Sequence, residues 1–260
     1  MPVSREGLVR ETSFDSLRVC IYQSRDGMAK AAASYFASLV RELLKQHPMP
    51  AVMFATGMSQ MEFLRYLTAD KTLEWSRIRA LHMDEYAGLP ATHPASFRKY
   101  LQDNLVNRAP GIEFCGIEGD AADTKVEIRR YSELFESRKP ELCAMGIGEN
   151  GHIAFNDPPA DFNDPKLFKI VSLDSKCRAQ QVHEGWFPNN AAVPRSAITA
   201  TVTALMSIPR LVVTVPGERK TEAVARTLLG KIEESCPASI LRRHSNAHLF
   251  LDSDSAAGLE

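Results

Sequence analysis

The sequence predicts one α/β domain: an open, mostly parallel sheet with helices on both faces, doubly wound in the Rossmann-like manner. Three observations carry this. Short apolar, strand-like runs alternate with amphipathic, helix-like segments along the chain. The run 142–147 is continuously apolar and reads as a buried strand, and 211–215 is largely β-branched. No low-complexity linker and no internal repeat divides the 260 residues, a length that single α/β domains reach.

Residues 19–22 read as a strand. Residues 27–46 follow as a helix, with Ala31, Tyr35, Phe36, Leu39, Val40, Leu43 and Leu44 at helical spacing. Residues 51–55 are a short strand and 59–67 a helix. Residues 78–83 form a strand that ends at Asp84-Glu85. Residues 94–101 start a helix, with Pro94 in a first-turn position. Residues 112–115 are a further strand and 124–135 a heavily charged helix. Strands are expected at 168–173, 197–200, 211–215 and 247–251, with a helix at 221–229. Right-handed crossovers should connect the parallel strands. Residues 158–165, rich in Pro, Asp and Asn, read as a surface loop. Residues 182–194 are polar and partly aromatic, and read either as a mobile flap over a site or as an ordinary surface connection.

Hydrophobic content of 44% and charged content of 24% suit a soluble globular protein. The net charge of −1 attracts neither nucleic acid nor an anionic membrane, so neither is an expected partner. Positive charge for an anionic ligand must therefore be local. Cys20, Cys115, Cys143, Cys177 and Cys236 form no C-x-x-C pair and no zinc spacing, which suits a reducing cytoplasm. The segment Met1-Pro2-Val3-Ser4-Arg5-Glu6 lacks the apolar core of a signal peptide. No apolar run approaches the roughly 20 residues of a membrane helix.

The most informative stretch is Gly146-Ile147-Gly148-Glu149-Asn150-Gly151-His152-Ile153-Ala154-Phe155-Asn156-Asp157-Pro158. Its glycines allow a sharp turn and close approach to a ligand. An imidazole there, with Asn150 and Asp157 within reach, suits proton transfer near neutral pH. The plain alternative is a histidine satisfied inside a turn. Gly146-x-Gly148-x-x-Gly151 also matches a dinucleotide fingerprint, but Asn156-Asp157-Pro158-Pro159 interrupts the helix that fingerprint needs. A nicotinamide cofactor is therefore not expected.

Asp84 and Glu85 follow a strand, where adjacent side chains point to opposite faces. Ligands of open α/β sheets bind beyond the carboxyl ends of the strands, so one of the two is a candidate general base. A helix cap or a surface acid is the competing reading. Thr56-Gly57-Met58-Ser59 and Gly217-Glu218-Arg219-Lys220 each follow a strand and open a helix, which favours an anion such as phosphate. Ordinary N-capping by Thr56 or Ser59 and a solvated Lys220 are the plain alternatives.

Three stretches together resemble the glucosamine-6-phosphate deaminase family, within the wider group that includes 6-phosphogluconolactonases. They are Met83-Asp84-Glu85-Tyr86-Ala87-Gly88-Leu89-Pro90 with His93-Pro94-x-Ser96-Phe97, then Gly148–Pro158, then the turn 217–220 before a helix. The resemblance covers nearly the whole chain. It implies conversion of glucosamine 6-phosphate and water to fructose 6-phosphate and ammonia, with neither a metal nor an organic cofactor. By position, Asp84 resembles the base that moves a proton between C2 and C1, and His152 the residue that opens the pyranose ring. Asp157 stands where the family has the acidic partner of that histidine. Thr56, Gly57, Ser59 and Lys220 resemble the phosphate and sugar cradle, with Glu85 and Gly151 as further contacts.

Three departures stand out. The family's phosphate loop is usually richer in Gly, Thr and Pro than Thr56-Gly57-Met58-Ser59-Gln60. Many family members carry aspartate at the position of Asn150, and asparagine orients a histidine without holding negative charge. The family's additional phosphate-binding arginine has no unambiguous counterpart; His183 lies nearest by position and Arg178 is close in sequence. The competing functions are a 6-phosphogluconolactonase-type hydrolase and a sugar-phosphate-sensing module without turnover. The expected partner is a phosphorylated amino sugar, and a homo-oligomer is compatible with the sequence.

Overall fold

The computed structural model describes residues 3–183 and 185–259. In chain order the strands are β1 (Leu8–Phe14), β2 (Leu17–Tyr22), β3 (Ala51–Phe54), β4 (Arg79–His82), β5 (Asp84–Tyr86), β6 (Glu113–Cys115), β7 (Leu142–Met145), β8 (Phe168–Ser172), β9 (Ser196–Ala200), β10 (Leu211–Val215) and β11 (Ala247–Asp252). The helices are α1 (Arg25–Gln46), α2 (Met61–Ala69), α3 (Phe97–Asn104), α4 (Thr124–Arg138), α5 (Ser175–His183), α6 (Val202–Met206) and α7 (Thr221–Leu229).

Eight strands form one sheet in the order β1-β2-β11-β10-β7-β3-β4-β6, parallel throughout except for β1 against β2. Alternate residues of its central strands feed two apolar layers, as the pleat requires. Val52 and Phe54 of β3 pack with Phe36 and Leu43 of α1 and with Phe63 of α2. Met53 of β3 faces the opposite layer, with Met145, Val213 and the α7 residues Ala223, Val224 and Leu228. Both faces of the sheet are thus covered by helices, as the alternating sequence pattern predicts.

Four local differences from the sequence reading have physical causes. Residues 8–14 form an antiparallel edge strand that is only half-buried, so LVRETSF carries no continuous apolar run. The strand expected over 78–83 stops at His82; after Met83 the chain changes sheets, and Asp84, Glu85 and Tyr86 pair with Thr199, Ile198 and Ala197 of β9. Helix α3 begins at Phe97, so Pro94 lies before it. The Ser96 side chain caps Lys99 N–H, while the Glu85 carboxylate accepts from Phe97 N–H and Arg98 N–H at 3.0 and 2.8 Å. The polar helix α5 had no apolar periodicity to reveal it.

Residues 185–195 continue from α5 over the small sheet β5-β9-β8, where Phe187 packs with Tyr86, Leu89 and Phe155. Tyr86 donates its hydroxyl to Gln181 Oε1 at 2.7 Å, and Trp186 meets Tyr100 edge-on. Glu184, inside the 182–194 stretch, lies outside the described residues. Among the described residues, no helix is long and apolar enough to cross a membrane.

Helix α4 is held to the sheet through Tyr131, which is fully buried. Its hydroxyl lies 2.9 Å from His82 O and 3.0 Å from Cys115 O, and it accepts from His82 N–H at 3.0 Å. Tyr131→Phe keeps the ring and strands these main-chain groups. Urea unfolding should show a loss of about 1–3 kcal/mol; a loss below about 0.5 kcal/mol would show that the ring alone fastens the helix.

Candidate active site

The strand order reverses between β3 and β7, and a cavity of about 520 Å³ opens there beyond the carboxyl ends of β3, β4, β7 and β10. Each of these strands delivers a loop to it.

Two of the loops share one construction. Gly57 follows β3 with φ 96° and ψ 175°, and Gly217 follows β10 with φ 91° and ψ 154°. Only glycine adopts such angles without strain. Each glycine opens a short 3-10 turn that runs into α2 or α7, so main-chain N–H groups at two helix starts converge on one cavity. The first loop is pinned from several sides. Gln60 donates to Thr214 Oγ1 at 2.8 Å and to Met145 O at 3.3 Å. Tyr100 donates its hydroxyl to Gly57 O, and Arg25 donates to Met58 O, both at 2.9 Å. The second loop is pinned by the buried Asp252 carboxylate, which accepts from Gly217 N–H at 3.0 Å.

The β7 loop presents His152. Gly148 lies under its ring: a Cβ at position 148 would come within 2.2–2.4 Å of three ring atoms. This glycine serves close approach, whereas Gly151 serves backbone geometry, with φ +87°. His152 Nδ1 lies 3.1 Å from Asp157 Oδ1, although it is not aligned for a conventional hydrogen bond. Asn150 braces the pair, accepting from His152 N–H through Oδ1 at 3.0 Å and donating Nδ2–H to Asp157 Oδ1 at 3.0 Å. Burial opposes ionisation of Asp157, but the His152, Asn150 and Asp174 main-chain contacts outweigh it and hold its carboxyl below the usual range.

Asp84 faces the cavity and is only 6% exposed. Burial, reinforced by the neighbouring Glu85 charge, raises its carboxyl well above the ordinary carboxylate range. Glu85 points to the other face and is fully buried. Burial raises its carboxyl too, against four hydrogen bonds from Arg98 N–H, Phe97 N–H, Ser96 Oγ and Tyr86 N–H.

Of the residues singled out in the sequence, Thr56, Gly57, Ser59, Asp84, His152, His183 and Lys220 line the cavity together. Asn150 and Asp157 stand behind His152 rather than in the wall. Three fall elsewhere. Glu85 is spent on the start of α3. Gly151 packs against Cys236, and its carbonyl accepts from Ala238 N–H. Arg178 donates to Asn190 O and Val193 O and does not line the cavity. The sequence reading missed Arg25, Arg219, Phe97, Phe155 and Gln181, which do line it. Arg219 adjoins Lys220 in a turn already singled out, and Phe97 and Phe155 lie in the quoted stretches without having been assigned a role; Arg25 and Gln181 carry no local signal. Among the described residues, no group of three or more His, Cys, Asp or Glu side chains is placed to hold a metal.

Residues 23–250 match the family described as glucosamine-6-phosphate isomerases/6-phosphogluconolactonase. The chain belongs to this family. Within it, the chain is 33% identical over 224 residues to a glucosamine-6-phosphate deaminase of Bacillus cereus, covering 86% of this chain and 83% of that protein. A solved monomeric glucosamine-6-phosphate deaminase superposes with a TM-score of 0.85 at 29% identity, covering 92% of this chain and 99% of that one. A 6-phosphogluconolactonase of Shewanella baltica shares the fold, with a TM-score of 0.73 at 17% identity over 95% of this chain and 100% of that one.

Two expectations follow from the geometry. Gly148→Ala must displace the His152 ring, so kcat of the folded variant should fall roughly a hundredfold, as for a misplacement of about 1 Å; unchanged kcat would show that the ring position is not critical. Asp84→Asn removes a carboxyl that is hard to ionise in the fold. The native state's advantage from a protonated Asp84 is complete below about pH 4 and is lost as pH climbs toward the raised folded value. The thermal midpoint of Asp84→Asn relative to the parent should therefore rise from pH 4 to pH 8; a flat difference would contradict the burial argument.

Proposed function

We propose that the chain, as one sugar-phosphate isomerase/deaminase domain, converts glucosamine 6-phosphate and water to fructose 6-phosphate and ammonia. The observation that carries this reading is the shared cavity: a buried acid with raised basicity and a carboxylate-backed imidazole face the same space as two helix-start loops suited to phosphate.

In this reading Lys220 and the loops at Gly57 and Gly217 hold the phosphate and so fix C1 and C2 of the sugar. His152 moves a proton between the anomeric hydroxyl and the ring oxygen, which opens the ring to the aldehyde. Asp84 takes the proton from C2, and the resulting enolamine regains a proton at C1. This leaves an imine at C2. Water adds to the imine carbon, the C–N bond breaks, and ammonia leaves with fructose 6-phosphate. Asp157 and Asn150 act by keeping the imidazole in place. Each step is a proton transfer or a hydration that these side chains can serve. The family and its deaminase relatives support the assignment. We further propose a cytoplasmic setting, in keeping with cysteines that form no pairing pattern.

The deciding experiment incubates purified protein with glucosamine 6-phosphate in deuterated water. The expected result is ammonia and fructose 6-phosphate in equal amounts, with deuterium at C1 of the product. Hydrolysis of 6-phosphogluconolactone without ammonia release would instead assign the lactonase reaction, which needs no carbon-bound proton transfer. Saturable binding with no product would assign a sensor.

A further inference from the structure

We infer that Arg25, at the start of α1, is a cationic ligand of the substrate's phosphate, supplementing Lys220 from an element outside the family's motif stretches. The inference rests on the sugar-phosphate reading above and names a residue that the sequence motifs do not contain.

Arg25 lines the same cavity as Thr56, Gly57, Ser59 and Lys220. Its guanidinium is anchored at one nitrogen: Nη2 donates to Met58 O at 2.9 Å and to Glu62 Oε2 at 2.8 Å. Nε is shielded from solvent and has no hydrogen-bond partner among the described residues. A buried, unmade hydrogen bond from a charged donor is expensive, and the planar donor edge of a guanidinium fits a phosphate. The position is also unfavourable for the helix itself. Arg25 is the first residue after the Ser24 cap of a 22-residue helix, where the macrodipole disfavours a cation. Helix stability therefore gives no reason for an arginine there, whereas an anion in the cavity does.

Arg219 also lines the cavity, beside Lys220 on the second loop, and the two candidates singled out in the sequence are less suited than Arg25. Arg178 is committed to two main-chain carbonyls and lies outside the cavity wall. His183 reaches the cavity from an exposed position. Arg25 also sits directly on the loop that it would assist, since Met58 belongs to the turn after Gly57. Glu62 is its counter-charge, at 2.8 Å. A bound phosphate would take over that role, so Glu62 competes with the ligand for the guanidinium.

This competition separates a phosphate ligand from an anchor that works through the Glu62 ion pair. The probe is inorganic phosphate, titrated calorimetrically into the parent protein and into Arg25→Met, Arg25→Lys and Glu62→Gln. A phosphate ligand predicts at least fivefold weaker binding in Arg25→Met, and binding in Glu62→Gln as tight as in the parent or tighter. A loop anchor that works through the Glu62 ion pair predicts weaker binding in both, and that result would overturn the inference. So would a loss below fivefold in Arg25→Met, or no phosphate binding by the parent. Should Arg25→Met not fold, Arg25→Lys decides with a threefold threshold, because lysine keeps the charge and loses the fork. Phosphate binding that follows this pattern in a protein that releases no ammonia would refute the deaminase assignment and leave Arg25 in place.

Discussion

Everything at this site depends on one constraint, a carboxyl buried beside another carboxyl. Asp84 and Glu85 are neighbours on a three-residue strand, so the pleat sends them to opposite faces. Glu85 accepts hydrogen bonds from three main-chain N–H groups and a serine hydroxyl. Among the described residues, Asp84 has no hydrogen-bond partner of this kind. The same two residue types therefore have different work: one fastens the start of α3, and the other is left costly to ionise and open to the cavity. The change of sheet after Met83 makes this possible. It takes Asp84 out of the central sheet and turns it toward the space where β3 and β7 part.

The parts of the fold that were legible in the sequence are those whose burial is two-sided. β3 and β7 are covered on both faces and are apolar throughout, β10 is broken only by Thr214, and in β4 the buried pair Ala80-Leu81 carries the pattern between Arg79 and His82. β1 lies at an edge and alternates, β5 consists of Asp-Glu-Tyr, and α5 is largely polar, so composition identified none of them. The break at Met83 had no signal either, because a strand that changes sheets reads as one apolar run followed by two acids. Pro94 suggested a helix start that the Glu85 carboxylate sets three residues later.

The site divides along the same line. His152, Asp84 and the glycine turns at 57 and 217 were legible because each belongs to a compact local pattern. Arg25, Tyr100 and Asp252 act on those turns from three separate elements and are recognisable only in space. The local positive charge required of a chain with net charge −1 is present as Arg25, Arg219 and Lys220, which line the same cavity as Asp84 and Glu149. Cations and proton-transfer groups thus share one cavity of about 520 Å³.

Asparagine at position 150 follows from the carboxylates around it. Its Nδ2 lies 3.0 Å from Asp157 Oδ1 and 3.5 Å from Asp174 Oδ2. An aspartate here would bring a third carboxylate to hydrogen-bond distance of two others, and like charges so close disfavour ionisation of at least one. The acid put at risk is Asp157, whose charge backs the imidazole. The amide instead donates to both carboxylates while its oxygen receives His152 N–H, which no ionised carboxyl could do. The negative charge absent at position 150 is thereby kept one step away, on Asp157, 3.1 Å from the ring nitrogen. Because Asp174 immediately precedes α5, the same amide ties the histidine loop to the start of the helix whose Gln181 and His183 line the cavity, so that helix and the imidazole share one set of hydrogen bonds.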